Sequence, residues 1–303
     1  MCMGLNELLE GWVDDAPATR LTGIGLDNRE TQPGDAFVAV KGQVSHGLDF
    51  ARAAVTSGAV AVIHDGLHDV GELGVPAIKV DGLGDKLGEL ASRFYSAPSE
   101  QMNIAGVTGT NGKTSVAHFL AQSWQRVYGH AGMVGTLGYG SLGHLQSGDR
   151  TTPDAFRLQQ ALSQCVKAGI ENLAMEVSSH ALQQHRCQTV QFDAAVFTNL
   201  SRDHLDYHAD MEEYAAAKRL LFTDYAPSFA IINHDDAYYS SWRERCGSRR
   251  VISFGLHPDA DVRAEEIRVA ENGCMAFSLC NGGNAFPVSL PMPGQHNVRN
   301  ALA

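Results

Sequence analysis

The residues best suited to chemistry form a short glycine-containing segment, GTNGKTS, at positions 109–115. An apolar stretch that predicts a strand (103–107) runs directly into it, and a segment with helical spacing (113–127) follows. The backbone N–H groups at a helix N-terminus attract anions, and an adjacent lysine can neutralise phosphate charge. We therefore predict a phosphate-binding loop made of Gly109, Thr110, Asn111, Gly112, Lys113, Thr114 and Ser115.

The spacing of this loop departs from the usual phosphate-loop pattern. In G-x-x-x-x-G-K-[ST] the first glycine would stand at the position of Val107, whereas this chain has its glycine at Gly109. The alternative is a glycine-rich turn with a solvated lysine. The order of strand, loop and helix favours the phosphate site, in which Lys113 would bind the β- and γ-phosphates and the Thr114 hydroxyl would bind Mg²⁺.

Three further polar groups follow predicted strands or lie on a predicted helix. Glu176 ends the apolar segment 171–177, His204 follows another at 194–200, and Lys218 lies in an apolar helical segment. Each has a simpler explanation: a capping carboxylate, a solvated turn and a surface lysine. Open α/β sheets bind ligands beyond the carboxyl ends of their strands. Together with the phosphate loop, these groups therefore suggest a site for a second divalent ion.

The elements that would hold these residues fall into two regions. Residues 1–98 predict a small α/β unit, and a proline-containing link at 96–100 separates it from residues 99–303. In the second region apolar strands alternate with helical stretches, which predicts a mostly parallel sheet with helices on both faces. Its last strands are separated by Asn-Gly and Gly-Gly turns and predict a small antiparallel patch. In the first region the predicted strands are 35–40, 59–65 and 75–80, and the predicted helices are 49–58 and 84–95.

Composition narrows the class of protein. The chain has 303 residues, 44% of them hydrophobic and 19% charged, as expected of a globular protein with two domains. Its formal net charge of -11 disfavours nonspecific binding to nucleic acid or to an anionic membrane. The six cysteines show no CxxC spacing, and neither a signal sequence nor a membrane-spanning run is evident. We expect a cytoplasmic protein.

Several motifs together resemble the Mur ligase family. They are GTNGKTS (109–115), EVSSHAL (176–182), TNLSRDHLDYH (198–208), the AAAK helix (215–218) and PGQHNVRNALA (293–303). The block LDNRETQPGDAFVAVKGQVSHG (26–47) is similar to the family's UDP-binding segment, so the resemblance covers nearly the whole chain. In the family pattern GTxGK[TS] the first glycine stands at Gly109, which accounts for the unusual spacing.

The resemblance implies a role for each matching position. The phosphate loop would bind ATP, and Lys113 and Lys218 would be catalytic, with Lys218 carbamylated so that it carries a carboxylate. Two positions depart from the family pattern: Asn28 stands where serine is usual, and Arg150 where asparagine is common. The implied Mg²⁺ ligands are Thr114, Glu176, His204 and Lys218; the implied muramoyl-dipeptide contacts are Thr151, Thr152, Ser178, Gln184 and Arg186; the implied uridine contacts are Leu26, Asn28, Gln43, Val44 and Ser45.

The activity implied by the resemblance is that of an ATP-dependent acid–amino-acid ligase in peptidoglycan synthesis. Such a ligase would add the third amino acid, meso-diaminopimelate or L-lysine, to UDP-N-acetylmuramoyl-L-alanyl-D-glutamate through an acyl phosphate. The fold would be an N-terminal UDP-binding domain (1–98) and a central P-loop domain (99–303). The family's third, Rossmann-like domain would be absent, so we expect an inactive, monomeric two-domain fragment. The alternatives are a folylpolyglutamate synthetase-like ligase and a nucleotide-binding module without turnover.

Overall fold

The computed structural model describes residues 2–42, 45–66, 71–148, 150–203, 206–271 and 273–303. The chain divides into two compact units. The first unit comprises Met1–Pro98, Asp154–Ser163 and His185–Thr189, and the second comprises Ser99–Pro153, Gln164–Gln184 and Val190–Ala303.

The first unit is built on a parallel sheet. Within the described residues this sheet has four strands in the order β3-β4-β5-β6, and β1 and β2 form a separate antiparallel pair. Apolar residues fill the strands, and one core cluster joins Leu21 and Ile63 to Phe94 of α3. Its elements are the strands β1 (Met3–Gly4), β2 (Arg20–Leu21), β3 (Gly23–Gly25), β4 (Asp35–Ala39), β5 (Ala61–His64) and β6 (Ala77–Lys79), and the helices α1 (Leu5–Leu8), α2 (Ala51–Thr56) and α3 (Leu87–Tyr95).

The second unit contains the longer strands and helices. Its strands are β7 (Asn103–Thr108), β8 (Gly132–Gly135), β9 (Gly138–Ser141), β10 (Asn172–Glu176), β11 (Ala194–Phe197), β12 (Phe229–Asn233), β13 (Arg250–Gly255), β14 (Val262–Val269), β15 (Met275–Asn281) and β16 (Asn284–Leu290). Its helices are α4 (Lys113–Tyr128), α6 (Ser179–Gln183), α7 (Met211–Thr223), α8 (Tyr239–Arg245) and α9 (Gln295–Leu302), while α5 (Ala155–Lys167) is divided between the two units.

One sheet runs through the second unit. Among the described residues it has ten strands in the order β16-β15-β14-β13-β12-β11-β7-β10-β8-β9, and the strands from β13 to β8 are parallel. Strand β7 lies between β10 and β11. The strands β8, β9 and β10 lie on one side of it, and the strands from β11 to β16 lie on the other, so the direction of strand addition reverses at β7. Ligands of open α/β sheets bind at such a switch point, beyond the carboxyl ends of the strands. The fold therefore places the segment after β7 where a ligand is expected.

The sheet confirms the predicted antiparallel patch and adds two details that the local pattern does not show. Strands β14, β15 and β16 pair antiparallel, and β14 also pairs in parallel with β13, so the patch continues the main sheet. Strand β8 pairs in parallel with β10, and the chain then turns at 136–137 into β9, which pairs antiparallel with β8. In both cases the hydrogen-bonding edge of a neighbouring strand decides the pairing, and local apolar pattern does not show which edge is available.

The first unit also includes residues that the sequence analysis placed in the second domain. Phe156, near the start of α5, is 2% exposed and belongs to the same hydrophobic cluster as Leu21 and Phe94. Burial of this ring explains why the first half of α5 groups with the first unit. Among the described residues, no helix has the length and apolar character needed to cross a membrane.

Candidate phosphate and metal site

Glycine is required at both glycine positions of the predicted phosphate loop. Gly109 has a φ of +146° and Gly112 a φ of +87°, a region that side chains rarely adopt. A Cβ at Gly109 would overlap the Thr198 hydroxyl, and one at Gly112 would overlap the side-chain amide of Asn300 on α9. The loop is thus held close to a neighbouring segment on one side and to α9 on the other.

Lys113 is the first residue of α4, and it folds back over the loop. Its Nζ donates to the Gly109 carbonyl and to the Thr110 carbonyl, both at 2.9 Å. Burial lowers the pKa of Lys113, while the charges of Glu176 and Asp203 act in the opposite direction. These carbonyls hold a cationic side chain at the loop, where it can exchange them for the oxygens of a phosphate.

Glu176 ends β10 beside the loop. Its side chain is 1% exposed, and its Oε2 accepts a hydrogen bond from the Thr114 hydroxyl at 2.9 Å. The Thr136 N–H donates to Oε1 at 2.8 Å, and the Thr136 hydroxyl donates to Oε2 at 3.3 Å. The structure thus brings together two of the predicted metal ligands, Thr114 and Glu176. Hydroxyl and carboxylate oxygens are ligands that Mg²⁺ prefers, so this pair fits the ion.

Lys218 lies on α7, which begins where Asp210 caps it by accepting from the Glu213 N–H. Its side chain is 1% exposed, and its Nζ donates to the Gly109 carbonyl at 2.9 Å. The Nζ also lies 4.4 Å from the centre of the Tyr214 ring. Burial, and to a smaller extent the charge of Lys113, lowers the pKa of Lys218 to about 6. An amine with that pKa is largely unprotonated at neutral pH and is a competent nucleophile.

The remaining predicted Mg²⁺ ligand is His204, which lies outside the described residues. Within the part of the chain that the structure describes, no cluster of three or more His, Cys, Asp or Glu side chains is arranged to hold a metal. As a free amine Lys218 supplies no oxygen ligand, so the candidate Mg²⁺ ligands that the structure brings together are the oxygens of Thr114 and Glu176.

Three of the five residues predicted to contact the muramoyl-dipeptide lie close to Glu176: Thr151, Thr152 and Ser178. The Thr152 hydroxyl donates to the Glu176 carbonyl at 2.9 Å and accepts from the Ser178 N–H at 3.1 Å. The hydroxyls of Thr151 and Thr136 lie 3.1 Å apart, and Ser178 caps α6. The Gln184 amide donates to the Tyr207 hydroxyl at 3.0 Å, while Arg186 belongs to the first unit.

The predicted uridine contacts belong to the first unit. Leu26 is partly buried against the main core of that unit, and Asn28 is half-buried. Ser45 is exposed, and its carbonyl accepts from the Gly42 N–H at 2.9 Å. Gln43 and Val44 lie outside the described residues.

The first residues of the motif at 198–208 have no role among the sequence-based predictions. Thr198 and Asn199 follow β11, and both hydrogen-bond the phosphate loop. A signal for them was present, because β11 and β7 are both apolar strands of a predicted parallel sheet and such strands end at the same edge. Which strands are neighbours was the missing information. A glycine-containing loop between a central parallel strand and a helix, with a lysine at the helix start, defines a P-loop-type α/β protein.

Comparison with known proteins gives the family. A model of the Mur ligase middle domain matches residues 107–303, and a model of the Mur ligase family catalytic domain matches residues 20–95. The chain therefore belongs to the Mur ligase family, which confirms the family and fold class predicted from the sequence motifs.

Three known proteins show how close the similarity is. A UDP-N-acetylmuramoyl-L-alanyl-D-glutamate–2,6-diaminopimelate ligase of Alkalilimnicola ehrlichii is 42% identical over 99% of this chain and 63% of the relative. The ligase of the same description from Coxiella burnetii is 49% identical over 91% of this chain and 58% of the relative. A solved structure of such a ligase superposes with a TM-score of 0.83 at 30% identity, covering 100% of this chain and 62% of the other. The chain thus spans about 60% of the length of these relatives.

Proposed function

We propose that this chain is the substrate- and ATP-binding part of a ligase that adds meso-diaminopimelate to UDP-N-acetylmuramoyl-L-alanyl-D-glutamate. The main support for this proposal is that the Nζ atoms of Lys113 and Lys218 both donate to the Gly109 carbonyl of the phosphate loop. The hydrogen-bonded pair of Thr114 and Glu176 lies beside the same loop. The relatives described above favour diaminopimelate over L-lysine as the added amino acid. ATP and UDP-linked precursors are made inside the cell, which supports a cytoplasmic location.

The phosphate loop would hold ATP by its triphosphate. Because the helix dipole of α4 and the N–H groups of its first turn favour anions, the phosphates would bind at the N-terminus of this helix. Lys113 would leave the Gly109 and Thr110 carbonyls to donate to phosphate oxygens. A charge-assisted hydrogen bond to phosphate is stronger than one to a neutral carbonyl, so the exchange is favourable.

Mg²⁺ would be held by Thr114 and Glu176, and when bound it would neutralise part of the phosphate charge. Glu176 is oriented for this role by Thr136, whose N–H fixes one carboxylate oxygen. The Thr114 hydroxyl, now donating to Glu176, would turn its lone pair towards the ion. We further propose that His204 completes the ligand set, as the resemblance to the family implies.

Lys218 would enter the site as a carbamate. The unprotonated amine attacks CO₂, an N–C bond forms, and a proton passes to solvent, which leaves a carboxylate on Nζ. The low pKa of Lys218 supplies the free amine that this reaction requires. Carbamylation replaces the buried amine, which is costly to protonate, by a carboxylate. The oxygens of this carboxylate can accept hydrogen bonds from donors at the loop or bind a cation.

The reaction would proceed in two steps. The D-glutamyl carboxylate attacks the γ-phosphorus of ATP, and an acyl phosphate and ADP result. The unprotonated amine of the incoming amino acid then attacks the acyl carbon, phosphate leaves with the electron pair of the C–O bond, and the nitrogen releases a proton to solvent as the amide forms. Lys113 would stabilise the negative charge that shifts between the transferring phosphoryl group and its neighbours.

Titration of both ligands against a Lys113→Ala variant tests the proposal. We expect ATP with Mg²⁺ to lose at least tenfold in affinity, or ~1.4 kcal/mol, because a charge-assisted bond is lost. UDP-muramoyl-dipeptide affinity should be unchanged, because its uridine contacts are assigned to the first unit. Lys167→Ala, at an exposed position, is the matched control.

Two results would count against the proposal. Unchanged ATP affinity in Lys113→Ala would remove the phosphate-loop assignment. Binding of a pteridine-glutamate conjugate in place of the UDP-muramoyl-dipeptide would instead favour the folylpolyglutamate synthetase-like alternative.

A further inference from the structure

Three of the four residues after β11 are hydrogen-bonded to the phosphate loop or to the end of β7: Thr198, Asn199 and Ser201. The Thr198 N–H donates to the Thr108 carbonyl at 3.0 Å, and the Thr110 N–H donates to the Asn199 carbonyl at 2.8 Å. The Thr110 hydroxyl accepts from the Ser201 N–H at 3.0 Å. The pairing of β11 with β7 therefore continues past the ends of both strands and into the loop.

The side chain of Asn199 makes the most specific of these contacts. Its Oδ1 accepts from the Asn111 N–H at 3.1 Å, and its Nδ2 donates to the Asn111 carbonyl at 2.9 Å. The Thr198 hydroxyl donates to the same carbonyl at 2.6 Å. Both backbone polar groups of Asn111 are thus bonded to one carboxamide. Only an amide side chain combines a donor and an acceptor in this geometry.

The position of Asn111 makes this contact important for the loop. Asn111 lies between two glycines with positive φ, Gly109 and Gly112, and glycine has more backbone freedom than any other residue type. Asn111 is exposed, so burial does not fix its backbone. The peptide between the glycines is therefore held by hydrogen bonds, and Asn199 supplies two of them. The Asn111 N–H and the Thr110 carbonyl belong to the same peptide group. The hydrogen bond from this N–H to Asn199 therefore also fixes the direction of the carbonyl that accepts from Lys113.

We infer that Asn199 is a positioning residue for the phosphate loop: its carboxamide fixes the Asn111 peptide, so that phosphate meets a preformed cradle. The inference deepens the proposed function and rests on it. Asn199 acts through the loop backbone and need not touch the nucleotide. Preorganisation raises affinity because the ordering of the loop is completed before the ligand binds.

The loop can be observed without any ligand. Hydrogen exchange of a peptide covering 104–116 should be faster in Asn199→Ala than in the unchanged chain. In the same variant we expect the affinity for ATP with Mg²⁺ to fall about tenfold, and that for UDP-muramoyl-dipeptide to stay the same. Asn199→Gln keeps the amide on a longer side chain, and we expect it to recover part of the loop protection and part of the ATP affinity.

A matched control separates positioning from general stability. Asn103 begins β7, the strand that leads into the loop, and its Nδ2 donates to Asn172 Oδ1 at 3.1 Å. Asn103→Ala therefore removes a hydrogen bond made by a side-chain amide, at the end of β7 that is opposite to the loop. Thermal melting should shift by a similar amount in Asn103→Ala and Asn199→Ala, but loop exchange and ATP affinity should change only in Asn199→Ala.

Three outcomes would overturn the inference. Wild-type loop exchange and ATP affinity in Asn199→Ala would show that the carboxamide is dispensable. Equal loss of ATP affinity in Asn103→Ala would assign the effect to stability. Equal affinities of Asn199→Gln and Asn199→Ala, with equal loop exchange, would show that the amide itself is irrelevant. If the unchanged chain itself binds no ATP, the proposed function fails. The other three outcomes overturn only the role of Asn199, so the two failures can be told apart.

Discussion

Replacing Lys218 with methionine should change how the stability of the second unit depends on pH. Lys218 is 1% exposed, and its pKa falls from 10.5 to about 6 in the folded chain, mainly because of burial. Methionine has a similar length and carries no titrating group. The substitution therefore removes the protonation equilibrium and leaves most of the packing.

The sign of the effect follows from proton binding. Between pH 6 and pH 10.5 the unfolded chain holds a proton on Lys218 that the folded chain does not. The free energy of unfolding therefore rises with pH in this range, by up to ~1.4 kcal/mol per pH unit from this one group. This contribution is complete above the unfolded pKa and is lost as the pH falls towards the folded pKa of about 6.

The magnitude at a given pH can be worked out. At pH 7.5 the folded chain holds Lys218 uncharged at a cost of ~4 kcal/mol relative to the unfolded chain. Methionine avoids this cost but loses the bond to the Gly109 carbonyl, worth ~1 kcal/mol. Lys113 still donates to that carbonyl, so it is not left without a partner. We expect Lys218→Met to be more stable by ~3 kcal/mol at pH 7.5 and nearly equal to the unchanged chain at pH 9.5.

The assay is urea unfolding at pH 7.5, 8.5 and 9.5 in CO₂-free buffer. Trp124 and Trp242 lie in the second unit, and Trp242 is 1% exposed, so with Trp12 of the first unit replaced by phenylalanine in every variant, tryptophan fluorescence reports unfolding of the second unit. Lys167→Met is the matched control, because it makes the same substitution at an exposed lysine. Parallel pH profiles for Lys218→Met and the unchanged chain, or a less stable Lys218→Met at pH 7.5, would refute the reasoning.

Three more predictions follow from the same site. In ¹³CO₂-saturated buffer near pH 8 the unchanged chain should show a carbamate ¹³C signal that is absent in Lys218→Met; the same signal in both would assign it to another amine. Glu176→Gln, which keeps the shape but removes the charge, should reduce the Mg²⁺-dependent part of ATP affinity about tenfold, or ~1.4 kcal/mol, and should leave Mg²⁺-free binding unchanged; equal loss with and without Mg²⁺ would contradict a role as ligand. Gly112→Ala should destabilise the chain by more than Gly143→Ala, because both glycines have a positive φ but only at Gly112 would the added Cβ overlap another side chain. The backbone strain shared by both variants costs ~1–2 kcal/mol. Equal losses of unfolding free energy in urea would show that Asn300 moves aside freely.

The conformation of the predicted phosphate loop, a turn between a strand and a helix, could be predicted because all of its determinants are adjacent in the chain. Strand β7, the turn at 109–112 and helix α4 follow one another directly, and each is encoded by local pattern and by glycine at two positions. The alternation of apolar strands and helices likewise predicted the parallel sheet, because side-chain periodicity reports local conformation. The family resemblance extended this to Glu176 and Lys218 as site residues.

The sequence alone did not show the contacts that connect distant segments. Asn111 and Asn199 are 88 residues apart, Lys218 and Gly109 are 109 apart, and Thr136 and Glu176 are 40 apart. These pairs meet because β7 lies between β10 and β11, and strand order depends on the packing of the whole sheet. Local pattern identifies an apolar strand but not its neighbour.

The chain sequence by itself therefore determined the loop, the fold class and which residues could do chemistry. The tertiary structure decided the state of those residues: it buried Lys218 enough to leave an amine unprotonated, directed Glu176 towards Thr114, and placed the Asn199 amide on the loop backbone. Burial and hydrogen-bond geometry arise only when segments far apart in the sequence come into contact, and they set both the pKa of a side chain and the direction in which it points.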